Sequence, residues 1–192
     1  HTLQAASGTP TYNLVLVVDR SGSMAMDASG NWSNQSGFDP NTVRMEIAKA
    51  ALGKLIDRFD LLGNVNVQIV DFASDVNESA WYVDNTAGAA NYINGLQAGG
   101  GTQYSTALNA VMNGFSKPPA DKTLFYFVTD GEPNSGYEAT TVQSAWESFV
   151  ASQGSGANAS ISFGVGIGSA SLASLNPIAY PTVDADGNGQ ED

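Results

Sequence analysis

Leu14-Val15-Leu16-Val17-Val18-Asp19-Arg20-Ser21-Gly22-Ser23-Met24 decides the fold, because five consecutive aliphatic residues run straight into a carboxylate, two hydroxyls and a glycine. An unbroken aliphatic run followed by turn formers reads as a strand buried on both faces, the kind a parallel sheet requires. In open α/β sheets ligands gather beyond the carboxyl ends of such strands, so Asp19 stands where a site is expected.

The same pattern returns once. Leu124-Phe125-Tyr126-Phe127-Val128-Thr129 is a second buried-type strand, and it delivers Asp130-Gly131 at its end. Between and around these strands, helical and strand patterns alternate. Asn41-Thr42 cap a helix carrying Val43, Ile47, Ala50, Ala51, Leu55 and Phe59 at three- and four-residue spacing. Val65, Val67, Ile69 and Phe72 mark a strand, and residues 79–83 a shorter one pairing antiparallel at an edge. Residues 86–96 read as a helix, and Thr102 opens another with Ala107, Leu108, Val111 and Phe115 facing inward. Residues 137–151 form a helix with Ala139, Val142, Trp146, Phe149 and Val150 inward, and Ile161, Phe163, Val165 and Ile167 a last strand.

This alternation predicts an α/β, Rossmann-like doubly wound fold: a mostly parallel sheet with helices on both faces and one short antiparallel edge strand. Residues 1–11 read as a lead-in, 12–180 as the domain and 181–192 as an acidic tail. A sheet of this kind usually finishes with a further strand and helix, so a fragment ending before its natural boundary is expected. Residues 25–40, rich in Gly, Ser and Asn around Trp32 and Phe38, read as a long insertion directly after the first strand.

Composition narrows the partners. Seven bases against nineteen acids give a formal charge of −12, which repels phosphate backbones, so nucleic acid is excluded as a partner. With no cysteine in 192 residues, disulfides, thiolate metal sites and a cysteine nucleophile are excluded too. No stretch approaches the roughly 20 apolar residues of a membrane-spanning helix, and no membrane insertion is expected.

Asp19, Ser21 and Ser23 form D-x-S-x-S, in which alternate residues of an extended turn can aim side-chain oxygens at one point. Hard divalent cations prefer such oxygens, and neutral hydroxyls with few carboxylates leave the ion able to accept an outside anionic oxygen. Thr102, after Gly99-Gly100-Gly101, is placed to add a third hydroxyl, and Asp130 a second carboxylate. Asp71, Asp75 and Glu132 read as solvated rim residues.

Taken together, D-R-S-G-S-M at 19–24, the threonine of G-G-G-T at 99–102 and T-D-G at 129–131 resemble the three parts of the metal-ion-dependent adhesion site of von Willebrand factor type A domains. The resemblance covers about residues 12–180. It implies a sheet whose upper rim holds Mg²⁺ or Ca²⁺, with Mn²⁺ a further candidate, through Ser21, Ser23 and Thr102, with Asp19 and Asp130 direct or through water. It also implies that a protein ligand or neighbouring domain offers a Glu or Asp carboxylate to that ion. The insertion at 25–40 departs from the pattern and is expected to cover or shape the rim.

In the tail, Asp184, Asp186, Asn188 and Gly189 fit the opening of a calcium-loop pattern, whose twelfth-position glutamate falls beyond residue 192, so this second Ca²⁺ site competes with a plain acidic tail. The acidic tail, the absence of cysteine and the Gly, Ser and Asn richness resemble the von Willebrand type A module of giant bacterial repeat-in-toxin adhesins. That resemblance implies a calcium-dependent, secreted protein of the bacterial cell surface, used in attachment and biofilm formation, of which this chain is a monomeric fragment.

Enzymatic alternatives fit poorly. An aspartyl-phosphate phosphatase with Mg²⁺ wants a second acid two residues after its nucleophile, and that position is Ser21. A serine hydrolase needs a base, yet the only histidine is His1, and no G-K-S or G-K-T supplies a phosphate loop. The expectation is a non-enzymatic adhesion module, against a spacer whose ion merely stiffens the loops.

Overall fold

The computed structural model describes residues 8–168 and 170–182. Its centre is β1, Thr11–Asp19, and the order of the strands explains why residues 14–18 of β1 are apolar without a break. It is flanked in parallel by β2, Asn64–Phe72, and β5, Lys122–Thr129. Beyond β5 lies β6, Ile161–Gly166, also parallel. Two short strands, β3, Val76–Glu78, and β4, Tyr82–Val83, both pair antiparallel with β2. The single edge strand expected at 79–83 is thus two pieces. Ser79 separates them: its hydroxyl accepts the Ile69 N–H at 2.9 Å, taking a place that a strand carbonyl would fill.

Alternate residues of β1 serve opposite cores. Leu14, Leu16 and Val18 pack with Met45, Ala48, Leu52 and Ile56 of α1, Arg44–Leu62, and with Ala89 and Ile93 of α2, Thr86–Asn94. Val15 and Val17 pack with Tyr104, Leu108 and Val111 of α3, Tyr104–Met112, and with Trp146 and Val150 of α4, Gln143–Ala151. Helices therefore cover both faces, and the layered α/β architecture follows from the hydrophobic need to bury each side. A last helical turn, α5, Leu172–Leu175, adds Leu175 to the second core.

Several details differ from the periodicity. The buried stripe of α1 is Met45, Ala48, Leu52 and Ile56, with Leu55 and Phe59 at its margin, while Ile47 is 37% exposed. Ala50 and Ala51 of the expected stripe are exposed, because the equally apolar row of Met45, Ala48, Leu52 and Ile56 is the one packed on the sheet; the start also differs, a 3-10 turn at Pro40–Thr42 preceding the helix with Val43 as its cap. The helix expected from 137 divides into a 3-10 turn, Ala139–Thr141, and α4, and still buries Ala139, Trp146 and Val150. In β6 the buried side chain is Ser162, which accepts from Trp146 Nε1 at 3.2 Å, whereas Phe163 stacks on Tyr126 at 4.8 Å on the half-open face.

The insertion after β1 is ordered by one carboxylate. Asp27 accepts the N–H groups of Ser29 at 3.0 Å, Asn31 at 2.8 Å and Asp39 at 3.0 Å. An Asp–Val bridge, Asp27 to Val43, closes the loop at its base. A long polar segment is held this way without a core of its own, because each buried N–H finds an acceptor.

Candidate metal centre

Five residues named from sequence sit at the C-terminal rim of β1 and β5 or beside it. Asp19 ends β1 and Asp130 follows β5, and neither has any exposed surface. Directly after β1 the chain turns through a 3-10 segment, Gly22–Ala25, which brings Ser21 and Ser23 back over the strand end. Ser21 N–H donates to Asp19 Oδ1 at 2.7 Å, and the Ser21 and Ser23 hydroxyl oxygens are 3.2 Å apart. Ser23 Oγ donates to Asp130 Oδ1 at 2.9 Å, so two hydroxyls bridge the two strand ends.

Thr102 is brought alongside by its glycines. Gly22 N–H donates to the Gly100 carbonyl at 2.9 Å, and Gly99 N–H to the Arg20 carbonyl at 2.7 Å, lacing the 99–101 loop to the turn after β1. Gly101 must lack a side chain here, since a Cβ would stand 2.6 Å from Asn134 Oδ1 and 2.8 Å from Ser74 Oγ. The Thr102 backbone is clamped by Asn134, whose Oδ1 accepts Thr102 N–H and whose own N–H donates to the Thr102 carbonyl, both at 2.7 Å. Among the described residues the Thr102 side chain makes no hydrogen bond to the other four; the structure supports its position through the backbone.

The electrostatics separate the two acids. Asp19 accepts only neutral donors: the Ser21 N–H and the Thr129 hydroxyl, the latter on Oδ2 at 2.6 Å. No cationic side chain pairs with it among the described residues. Burial raises the Asp19 carboxyl above its ordinary range, and the donors from Ser21 and Thr129 oppose that rise only in part. Asp130 instead shares its Oδ2 with Arg44 Nη1 of α1 at 2.8 Å, both side chains being buried. Behind the acids, Tyr104 O–H reaches Thr129 Oγ1 at 3.0 Å and also the Gly131 carbonyl, fixing the hydroxyl that Asp19 uses.

Arg44, Thr129, Tyr104 and Asn134 were missed as partners of the site. Thr129 stood inside the quoted T-D-G, but Arg44 lies 86 residues from Asp130 and no local spacing announces it. Asp71, read as a solvated rim acid, is a buried one. It pairs with Arg20 Nε at 2.5 Å, accepts from Asn77 at 3.0 Å and also accepts from Tyr92 O–H. Asp75 is exposed and pairs with Arg20 Nη2 at 2.7 Å, and Glu132 is exposed and accepts from Ser174. Asp184, Asp186 and Asn188 lie outside the described residues.

The donor set fits a hard cation and not a soft one. Two carboxylates and three hydroxyls are oxygen donors, and no group of three or more His, Cys, Asp or Glu is arranged for a metal among the described residues. A buried Asp19 carboxyl without a cationic partner is the specific observation that favours a bound cation, since a cation would supply the counter-charge that its ionised form lacks.

Fold and rim together define a doubly wound α/β module with oxygen-rich side chains at the carboxyl end of its sheet. The family model for the von Willebrand factor type A domain matches residues 14–132, and the chain belongs to that family. Similar solved structures include the PilB minor pilin from Streptococcus sanguinis, 25% identical, covering 68% of this chain and 32% of the pilin, with a TM-score of 0.59. Proximal thread matrix protein 1 from the mussel byssus, with a zinc-occupied MIDAS motif, is 19% identical and covers 89% of this chain and 39% of that protein, with a TM-score of 0.63. The vWF domain of the type V pili tip protein Mfa5 from Porphyromonas gingivalis is 19% identical, covering 66% and 40%, with a TM-score of 0.50. The chain thus matches about a third of the pilin's length and 39% of the mussel protein's. No curated protein matches it. No helix among the described residues is long and apolar enough to cross a membrane.

Proposed function

We propose that this domain is a divalent-cation-dependent adhesion module that captures an acidic group of a partner at the rim formed by Asp19, Ser21, Ser23, Thr102 and Asp130. The observation that carries this reading is that the Asp19 carboxyl has no cationic partner: it is wholly buried, contacted by neutral donors only, and bridged through Ser21 and Ser23 to a second buried acid. Mg²⁺ or Ca²⁺, with Mn²⁺ as a substitute, suits the hydroxyl and carboxylate oxygens. When bound, the ion supplies an incompletely neutralised positive charge for an incoming Glu or Asp carboxylate.

The rim residues and those behind them divide the work of that recognition. Asp19 contributes the uncompensated negative charge, and the Thr129–Tyr104 hydroxyl pair orients it. The hydroxyls of Ser21, Ser23 and Thr102 add oxygens without adding charge, so they compete little with a partner's carboxylate. The clamp of Asn134 on the Thr102 backbone and the lacing of the 99–101 loop hold that third hydroxyl on the rim.

The wider setting we propose is a protein of the bacterial surface, of the repeat-in-toxin adhesin type, binding a protein ligand or a neighbouring domain. The formal charge of −12, the absence of cysteine and the likeness to a minor pilin and a pilus tip domain support it. A non-enzymatic role accords with the pilins and matrix protein among its structural neighbours.

The test has two arms. Calorimetric titration with Mn²⁺ should show one site in the wild type, lost in Asp19→Asn and in the Ser21→Ala/Ser23→Ala pair. Surface plasmon resonance against an immobilised Glu- and Asp-bearing peptide should show capture with Mg²⁺ or Mn²⁺ and release by chelator. Ion binding without capture favours the structural spacer, and capture that persists in the variants rejects the proposal.

A further inference from the structure

Arg44 is a charged residue in an unusual place. It is 5% exposed, and its guanidinium bridges three segments that are remote in sequence. Nη1 donates to Asp130 Oδ2 at 2.8 Å, while Nε donates to the Asp27 carbonyl at 3.0 Å. Two glycines flank the side chain. A Cβ on Gly30 would stand 3.4 Å from Nη2, and one on Gly168 would stand 3.0 Å from Nε. Both glycines have positive φ, 87° and 66°, so a side chain at either place would be strained, and at Gly168 crowded as well. The slot is therefore built by the insertion on one side, the β6 turn on the other and Asp130 at its end.

The slot also ties Arg44 to the base of the insertion. Arg44 N–H donates to the Met26 carbonyl at 2.9 Å, next to the Asp27–Val43 bridge. Asp27, whose carbonyl holds Nε, is the residue whose carboxylate organises Ser29, Asn31 and Asp39. The same guanidinium that neutralises Asp130 thus helps to fix the loop at 27–39.

We infer that Arg44 is a tethered counter-charge that shares Asp130 with the divalent ion, so that ion binding and the ordering of residues 27–39 oppose one another. This rests on the cation site proposed above. Asp130 gives Oδ1 to Ser23 and Oδ2 to Arg44, and a positive ion on the Oδ1 side draws on the same carboxylate charge. In a buried setting the repulsion between that ion and the guanidinium is only weakly screened. The ion loosens the pairing of Arg44, and the tether at Asp27 transmits the loss to the loop. Linkage is reciprocal: whatever the ion costs the loop, the ordered loop costs the ion. The device joins the insertion at 25–40 to the chemistry of the rim.

Two substitutions separate charge from tether. Arg44→Gln keeps a donor for Asp130 and removes the charge, and it should bind Mn²⁺ at least tenfold more tightly than wild type by titration calorimetry. Arg44→Lys keeps the charge and should bind within threefold of wild type. In the wild type, saturating Mn²⁺ should speed hydrogen exchange at the amides of Ser29, Asn31 and Asp39 by threefold or more. Equal or weaker Mn²⁺ binding by Arg44→Gln, or unchanged or slower exchange at those amides, overturns the inference while leaving the cation site intact. Absence of Mn²⁺ uptake by both wild type and Arg44→Gln removes the cation site and this inference together. Should Arg44→Gln fail to fold, the wild-type exchange measurement decides alone.

Discussion

Asp19 and Asp71 stand at the same end of adjacent parallel strands, β1 and β2, and both are buried, yet they have opposite surroundings. Asp71 is satisfied on both oxygens, by Arg20 and Asn77 on Oδ1 and by Tyr92 on Oδ2. Asp19 meets an N–H and a hydroxyl and no positive charge. A carboxylate whose charge is matched inside the protein holds the structure together. One without a cationic partner, but whose geometry is fixed, is the one to which we assign the ion. Asp130 lies between the two, half matched by Arg44 and half turned toward Ser23.

The largest expected effect falls on the matched acid. Asp71→Ala leaves the half-buried Arg20 with Asp75 alone and takes the acceptor from Asn77 and Tyr92 as well, and should destabilise the domain by about 3 kcal/mol. Denaturant unfolding measures that loss, and Mn²⁺ affinity should stay within a few fold of wild type. If Asp71→Ala abolished ion binding instead, the two acids would not be the different things described above.

Asp19→Asn should give the reverse pattern. Ion affinity should fall at least a hundredfold, about 2.7 kcal/mol, while the metal-free domain stays as stable as wild type or gains stability. Burial is what raises the Asp19 carboxyl, so replacing it by a neutral amide removes that cost. A marked loss of metal-free stability would make Asp19 a structural acid like Asp71.

Tyr104→Phe sharpens the comparison more finely. It deletes the hydroxyl that orients Thr129 behind Asp19 and should cost about 1 kcal/mol in thermal or denaturant unfolding, with a smaller loss of Mn²⁺ affinity. The smallest effect is in pH. Because the folded Asp19 value is raised above 3.8, its contribution favours the metal-free fold most at low pH, below the unfolded value, and that contribution is lost as pH rises through the folded one. Ion binding needs the carboxylate and runs the other way, strengthening with pH across the same window. Thermal melts with and without Mn²⁺ from about pH 4 upward should therefore diverge as pH rises.

Much of this was legible in the sequence where the cause is local. The aliphatic run before Asp19 and the one before Asp130 mark central strands, because only a strand covered on both faces stays apolar at every position. The D-x-S-x-S turn and the glycines before Thr102 carry their geometry with them. What escaped depends on contacts far apart in the chain. Arg44 is an unremarkable helix-initiating residue until folding places it against Asp130, and Asp71 looks solvated until Arg20, Asn77 and Tyr92 close around it. The face of α1 was misread because the helix carries two apolar rows, and only packing on the sheet selects Met45, Ala48, Leu52 and Ile56; its start was misread because the 3-10 turn at Pro40–Thr42 takes up the capping residues. The edge after β2 divided in two because a serine hydroxyl can stand in for a strand carbonyl, which no alternation of apolar residues reveals.

Anomalous diffraction from crystals of the domain grown with saturating Mn²⁺ tests the central claim most directly. A peak is expected at the rim within coordination reach of the Ser21, Ser23 and Thr102 hydroxyls, with Asp19 and Asp130 bound to it directly or through water. Ordered Mn²⁺ elsewhere on the domain with none at this rim would contradict it.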